Sequence, residues 1–160
     1  MASETEARIL WATLDEACGA LVLSASRDLS IHAQICTPKD VLEIVRPAKF
    51  DLVAIELGAE PREGLALIRQ LHDRLPRLTI IAGVGESSVS TMRSALEAGA
   101  TDIVSLPLSQ QELQKTLVKF RQSKVREAAS RAVAGEVITV YGVRGGLGAT
   151  TTAVNLAVQM

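Results

Sequence analysis

The chain has 160 residues, of which 48% are apolar and 22% charged, a composition typical of globular proteins and not of disordered or fibrous ones. Its 17 basic and 18 acidic residues nearly cancel, so no overall charge excess indicates binding to nucleic acid or anionic lipid. Every apolar run is far shorter than the roughly 20 residues that a membrane-spanning helix needs. The acidic N-terminus lacks the apolar core of a signal peptide, so we expect none.

Aromatic residues and cysteines are scarce, and this reduces the number of possible functions further. The aromatic residues are Trp11, Phe50, Phe120 and Tyr141. Four scattered aromatic rings cannot form a stacking surface for single-stranded nucleic acid. Cys18 and Cys36 lie far apart without a CxxC spacing, so we expect two reduced, buried thiols.

Short apolar runs alternate with helical patterns along most of the chain. The predicted strands cover residues 8–12, 30–36, 51–57, 78–82 and 102–106. The predicted helices begin near residues 13, 37, 64, 87 and 109, and the last of them runs to about residue 134. Five strand–helix units in strict alternation predict an α/β fold, a doubly wound parallel sheet with helices on both faces.

Local signals mark the helix ends. Thr13 with Glu16, and Ser109 with Glu112, have the spacing of capping boxes, and Thr37 is followed by Pro at a predicted helix start. A competing interpretation makes residues 20–24 a strand, but the apolar spacing around them favours a helix. Gly99 is expected to end the fourth helix.

A different pattern begins after Gly135. A sixth strand is predicted at residues 137–141, followed by a Gly-rich turn and an apolar helix. The predicted organisation is therefore a first domain at 1–120, a helical linker at 121–135 and the start of a second domain at 136–160.

From Arg8 to Phe120 the sequence resembles the receiver domains of two-component response regulators. The resemblance is carried by DLVAIEL at 51–57, Glu60-Pro61, Gly64-Leu65 and ALEAGATDIVSLP at 95–107. It implies strand order 2-1-3-4-5, a phosphoacceptor Asp after the third strand and an acid pair that binds Mg²⁺. It also implies a hydroxyl residue after the fourth strand and a Lys before the Pro that follows the fifth.

This sequence lacks that set of residues. The phosphoacceptor position holds Glu56, and the other positions hold Ala12, Thr13 or Leu14 (the acid pair), Val84 (the hydroxyl) and Leu106 (the Lys). We therefore expect no phosphorylation, no catalytic residue and no metal site. Two interpretations of Glu56 stay open: its carboxylate imitates a phosphorylated charge, or it is an ordinary strand-end carboxylate, solvated or paired with a neighbour such as an Arg. Pro107 resembles the receiver Pro that follows a cis peptide bond.

The segment VITVYGVRGGLGATTTAVNLA at 137–157 resembles the deviant Walker A region of MinD/ParA-like ATPases. The resemblance implies a phosphate cradle at Gly145, Gly146 and Gly148, and a Mg²⁺-binding hydroxyl at Thr150, followed by Thr151. Arg144 stands in place of the signature Lys, and Ala149 in place of the Lys that reaches the β- and γ-phosphates. Because no Walker B segment follows, ATP and Mg²⁺ are expected only in a longer protein, and no cofactor in this chain.

A receiver lacking its phosphorylation residues, joined to such a loop, is similar to the CpaE/TadZ family of Tad (Flp) pilus assembly proteins. That resemblance implies a cytoplasmic, polar organiser that contacts the pilus secretion machinery through a non-enzymatic receiver-like domain. A phospho-accepting response regulator and a nucleotide-binding ATPase remain the alternatives. We also expect the tail from residue 137 to dock on a second copy, which makes a homodimer that truncation after Phe120 would abolish.

The basic residues of the last predicted helix and the two histidines are expected to have no binding or catalytic role. The basic residues Lys119, Arg121, Lys124, Arg126 and Arg131 are expected to form a solvated helix face, and no nucleic acid partner is predicted. His32 and His72 have no second ligand at metal-binding spacing, and the chain contains no Ser/His/Asp or Cys/His set.

Overall fold

The computed structural model of the chain describes residues 7–46, 49–58, 60–85, 89–132, 139–141 and 149–159. Its strands are β1 (Arg8–Ala12), β2 (His32–Cys36), β3 (Leu52–Glu56), β4 (Thr79–Gly85) and β5 (Asp102–Leu106). Its helices are α1 (Glu16–Asp28), α2 (Val41–Val45), α3 (Arg62–Arg74), α4 (Val89–Glu97), α5 (Gln110–Ala132) and α6 (Ala149–Gln159).

All strand pairs are parallel, in the order β2-β1-β3-β4-β5, which confirms the predicted doubly wound sheet. Alternating residues of each strand point to opposite faces, and each face has its own apolar cluster. One cluster joins the sheet to α2, α3 and α4, and its largest members include Leu10, Ile55 and Ile68. The other joins the sheet to α1 and α5 and includes Trp11 and Leu117.

The chain divides into two compact units, Met1–Val125 and Arg126–Met160. The first contains the whole five-stranded sheet. In the second, residues 139–141 are described and are not in a strand, contrary to the prediction of a sixth strand at 137–141. Residues 137–138 and the Gly-rich stretch 142–148 lie outside the described residues, and α6 follows as the predicted helix. None of the described helices is long and apolar enough to cross a membrane.

Two predicted helix starts need correction. Helix α1 begins at Glu16, and its N-cap is Asp15, whose carboxylate accepts the backbone N–H of Ala17 across 2.9 Å. Thr13 is therefore not the cap of that helix, because its hydroxyl is used elsewhere. Helix α2 begins at Val41, later than the Thr37-Pro38 signal suggested, since Thr37 bonds to Asp40 within a preceding turn. The competing strand at 20–24 is wrong, because these residues lie in α1.

Other end signals are confirmed. The hydroxyl of Ser109 accepts the N–H of Glu112 across 3.1 Å, as a capping box requires. Glu112 does not complete the box, because its carboxylate instead accepts the N–H of Ser105 in β5. Gly99 has a φ of +107°, the left-handed conformation that favours glycine after a helix. The Leu106–Pro107 peptide bond is cis, as expected.

Candidate functional site

The candidate site lies at the carboxyl ends of the central strands. In the order β2-β1-β3-β4-β5 the chain turns in opposite directions on either side of the β1/β3 pair, and crevices at such switch points are where doubly wound sheets bind ligands. Glu56 is the last residue of β3, next to Gly83 in β4. The strand before it, Leu52 to Ile55, is fully buried, whereas Glu56 is half-buried.

The carboxylate of Glu56 accepts three hydrogen bonds. The indole Nε1 of Trp11 donates to Oε1 across 3.1 Å, and the Cys18 thiol lies 2.9 Å from the same oxygen. The Thr13 hydroxyl donates to Oε2 across 2.7 Å. All three donors are uncharged, and all three side chains are buried. Hydrogen bonds to an ionised acceptor are roughly twice as strong as neutral ones, so this cluster ties β3 firmly to β1 and α1.

Thr13 occupies the centre of this cluster. While its hydroxyl donates to Glu56, the same oxygen accepts the backbone N–H of Asp15 across 2.9 Å. The backbone N–H of Thr13 donates to the carbonyl of Cys36 at the end of β2. One residue thus fixes the β1–α1 connection to two neighbouring strands, and it places Asp15 where it caps α1.

Cys18 has an unreactive environment. The pKa of its thiol is raised from 9.0 to about 12. Burial is the largest cause, followed by the hydrogen bond to Glu56 and the negative charge of Glu56. Burial likewise raises the pKa of Cys36 to about 11. Neither cysteine forms a disulfide bond, and the protonated thiol of Cys18 is a hydrogen-bond donor and not a nucleophile.

The receiver positions named from the sequence do come together at this edge, but they offer little to a phosphoryl group or a metal. Ala12 and Val84 are buried and apolar, and Leu106 is half-buried. The only acidic side chains just beyond β1 are Asp15, which caps α1, and Glu16, which is exposed. No group of three or more His, Cys, Asp or Glu suited to a metal ion occurs among the described residues.

Gly83 leaves Glu56 the room that its conformation needs. A Cβ atom at position 83 would lie 3.2 Å from Cγ of Glu56 and 3.4 Å from Cδ1 of Leu106. The absence of a side chain there lets the longer Glu side chain turn toward β1. The conformation of Glu56 therefore depends on its neighbour in β4 as well as on its three donors.

Sequence reasoning located Glu56 but missed its donors. The sequence left open a carboxylate that imitates a phosphorylated charge and one that is solvated or paired with a neighbour such as an Arg. The structure brings Trp11, Thr13 and Cys18 to this carboxylate. Strand alternation offered a signal, because β1 and β3 pair in parallel with Trp11 opposite Ala54, two residues before Glu56 on the same face. A buried indole N–H usually finds a partner, and Glu56 is the nearest strand-end acceptor on that face.

The other residues named from the sequence belong to other segments of the chain. Arg144, Gly145, Gly146 and Gly148 lie outside the described residues, while Ala149, Thr150 and Thr151 form the first turn of α6. In the basic segment of α5, Lys119 pairs with Asp102 at 2.6 Å and Lys124 with Asp51 at 3.1 Å. These two cations thus tie α5 to the sheet, in addition to facing solvent.

The family is defined by the chain's similarity to known proteins. Residues 18–118 match the family model of the response regulator receiver domain, so the chain belongs to that family. It is 36% identical over 80 residues to the transcriptional regulatory protein ZraR of Salmonella typhimurium, a match that covers 50% of this chain and 18% of ZraR. The chain thus spans about a fifth of the length of that relative.

Solved structures show the same fold. Chemotaxis response regulator CheY4 of Vibrio cholerae superposes with a TM-score of 0.65 at 18% identity, covering 72% of this chain and 99% of CheY4. NtrX from Brucella abortus superposes with a TM-score of 0.70 at 20% identity, covering 94% of this chain and 34% of NtrX. The receiver fold is therefore shared at low sequence identity.

Proposed function

We propose that this receiver domain works as a protein-interaction module whose state does not depend on phosphorylation at Glu56. The proposal is supported by the hydrogen bonding of Glu56, because both of its carboxylate oxygens accept hydrogen bonds from uncharged, buried donors. Hydrogen bonds to both oxygens hold the carboxylate in one orientation and draw charge from it, which makes it a weaker nucleophile toward a phosphoryl group. The domain then contributes binding and not catalysis.

The surroundings of Glu56 support the same proposal. Phosphoryl transfer to a carboxylate needs positive charge to neutralise the incoming oxygens, normally from Mg²⁺ and a Lys. Here the Lys position is Leu106, the hydroxyl position is Val84, and Ala12 and Thr13 take the place of the acid pair. The ion pairs that Lys119 and Lys124 form lie elsewhere, at Asp102 and Asp51.

A phospho-accepting receiver is the second candidate, and the comparisons favour it over the first. The matching family is the response regulator receiver domain, and similar proteins include the transcriptional regulatory protein ZraR. In that case one carboxylate oxygen of Glu56 attacks the phosphorus of the phosphodonor, the bond from phosphorus to the donor's leaving group breaks, and the hydrogen bonds to that oxygen rearrange. The two candidates make opposite predictions about one covalent modification.

The experiment is mass spectrometry after treatment with acetyl phosphate and Mg²⁺. The first candidate predicts no added mass, whereas phosphorylation adds about 80 Da. A receiver domain that is readily phosphorylated serves as the positive control, and Glu56→Gln as the matched variant. A Mg²⁺-dependent mass gain that disappears in Glu56→Gln would establish the second candidate.

Membership in a pilus assembly protein is a finer proposal that rests on the combination of the altered receiver positions with the sequence motif at 137–157. It carries with it a cytoplasmic, polar location, self-association and contacts with secretion machinery. The nucleotide part is tested in a protein that carries a complete ATPase domain after this loop, where Ala149→Lys should tighten ATP binding by restoring a phosphate contact. Unchanged affinity would mean that the loop holds no phosphate.

A further inference from the structure

A groove separate from the Glu56 carboxylate runs between α1 and α2 at the end of edge strand β2. Its volume is about 850 Å³. Leu23 of α1, Ile35 of β2 and Ile44 of α2 line it with half-buried apolar side chains. Leu14 lies at its margin in the β1–α1 connection, and its side chain is 81% exposed. Leu14 thus extends the apolar lining of the groove into a contiguous surface that a partner would cover.

The charged residues that line the groove all have one sign. Four acidic residues line it: Asp15, Glu16, Asp40 and Glu43. Among the described residues that line it, none is Lys, Arg or His. Asp15 and Asp40 accept local hydrogen bonds, whereas Glu16 and Glu43 are exposed in the first turns of α1 and α2. An apolar surface bordered by four carboxylates is complementary to a partner with apolar and cationic side chains.

We infer that this groove is a docking site for a cationic amphipathic helix of a partner protein. Helices α1 and α2 flank opposite faces of the sheet, so a helix that lies across the end of β2 would place its apolar face on Ile35 and Ile44, and Lys or Arg beside that face would meet the acidic border. The chain's own basic helix is a poorer occupant, because Lys119 and Lys124 already pair with Asp102 and Asp51 in the same domain.

The inference goes beyond the proposed function and does not depend on the phosphorylation state of Glu56. Thr13 is the one residue common to both places: it lines the groove and donates to Glu56. A helix in the groove would therefore contact the same connection that fixes the carboxylate. Phosphorylation of Glu56 is measured by mass spectrometry and docking is measured by peptide binding, so the proposed function and this inference can fail separately.

The probe is a synthetic amphipathic peptide of Leu and Lys, about four helical turns long. Its affinity for the full chain is measured by fluorescence anisotropy, and its site is mapped by amide chemical shifts. A scrambled peptide of the same composition tests the need for a helical face. An analogue with Glu in place of every Lys tests the charge. We expect only the cationic amphipathic peptide to bind, with the largest shifts at residues 14–23 and 35–44.

Two pairs of matched variants locate the contacts. Glu16→Gln with Glu43→Gln should weaken binding by about threefold to tenfold, while Glu97→Gln with Asp73→Asn removes the same charge elsewhere and should not. Leu14→Ser should weaken binding by about tenfold, because an exposed anchor is lost without disturbing the core. Val89→Ser is its control, since Val89 is 75% exposed on α4.

Several results would overturn the inference. Equal loss of affinity in the control variants, shifts confined to other surfaces, or equal binding of the Glu peptide would each exclude a cationic helix in this groove. Concentration-dependent shifts at the groove without peptide would assign the surface to a second copy of the chain. Binding that survives in both Leu14→Ser and Glu16→Gln with Glu43→Gln would place the peptide elsewhere.

Discussion

The hydroxyl of Thr13 and the carboxylate of Glu56 lie 2.7 Å apart, although 43 positions separate the two residues in the sequence. This bond joins the end of β1 to the end of β3 at the point where the sheet topology opens a crevice. The carboxylate at the end of β3 accepts hydrogen bonds from Trp11 and Cys18 as well as from Thr13. The consequences for stability are measurable.

Removing the Thr13 hydroxyl should destabilise the domain. Thr13→Val keeps the shape of the side chain, removes the donor to Glu56 and leaves the N–H of Asp15 without its acceptor. We expect a loss of about 1.5–3 kcal/mol in the free energy of unfolding, measured by urea denaturation. Thr13→Ser is the control, and it should cost about 1 kcal/mol or less because only a methyl group is lost. Equal effects of Val and Ser would contradict the bond's role.

The thiol of Cys18 should react slowly with alkylating reagents. With a pKa of about 12, against 9.0 for an ordinary thiol, its thiolate fraction at mildly alkaline pH is lower by about a thousandfold. Iodoacetamide labelling followed by mass spectrometry, in a Cys36→Ser background, measures the rate. Glu56→Gln should speed the reaction, since it removes the charge that raises the pKa of Cys18. A labelling rate equal to that of an exposed thiol would show that the pKa of Cys18 is not raised.

The raised pKa values of Cys18 and Cys36 predict how the stability of the domain depends on pH. Below pH 9.0 both cysteines are protonated in the folded and unfolded states. Between 9.0 and about 12 the unfolded Cys18 loses its proton while the folded one keeps it, and Cys36 behaves likewise up to about 11. The unfolded state then binds fewer protons, so stability falls as pH rises through this window. The Cys18→Ala and Cys36→Ala double variant should show a shallower decline in urea titrations.

Gly99 should tolerate no side chain. Its φ is +107°, and a Cβ atom there would lie 2.7 Å from Cβ of His72. Gly99→Ala should therefore cost about 1–3 kcal/mol by thermal or urea unfolding. Gly58→Ala is the control, because a Cβ atom at position 58 would have no other atom within 4 Å and the φ of Gly58 needs no glycine. Adding His72→Ala to Gly99→Ala removes the ring atoms of His72 but keeps the Cβ atom at 2.7 Å and leaves the backbone strain, so stability should recover only in part.

The sheet was predictable because its signals are local. Fully apolar runs such as Leu52–Ile55 indicate strands buried on both faces, and strict alternation with helices leaves few topologies. Helix starts were less predictable, since a side chain that matches a capping pattern can bond elsewhere. Thr13 matched such a pattern, yet its hydroxyl bonds to Glu56, and Asp15 caps the helix.

The site was predictable only in part for a similar reason. Glu56 was located through the resemblance to receiver domains, which implies a phosphoacceptor at the end of the third strand. Its partners Trp11 and Cys18 lie 45 and 38 positions away, and only the strand register brings them together. The groove between α1 and α2 was not anticipated at all, because its acids come from two separate helix starts.

Trp11 is the only tryptophan of the chain, it is fully buried, and its indole N–H bonds to Glu56. An indole in the excited state has a larger dipole than in the ground state, so its emission responds to an adjacent carboxylate. The protein thus carries an intrinsic optical probe at its candidate site. Neutralisation or rotation of Glu56 should alter the emission wavelength and lifetime of Trp11 without any label, and the spectrum reads the state of the carboxylate directly.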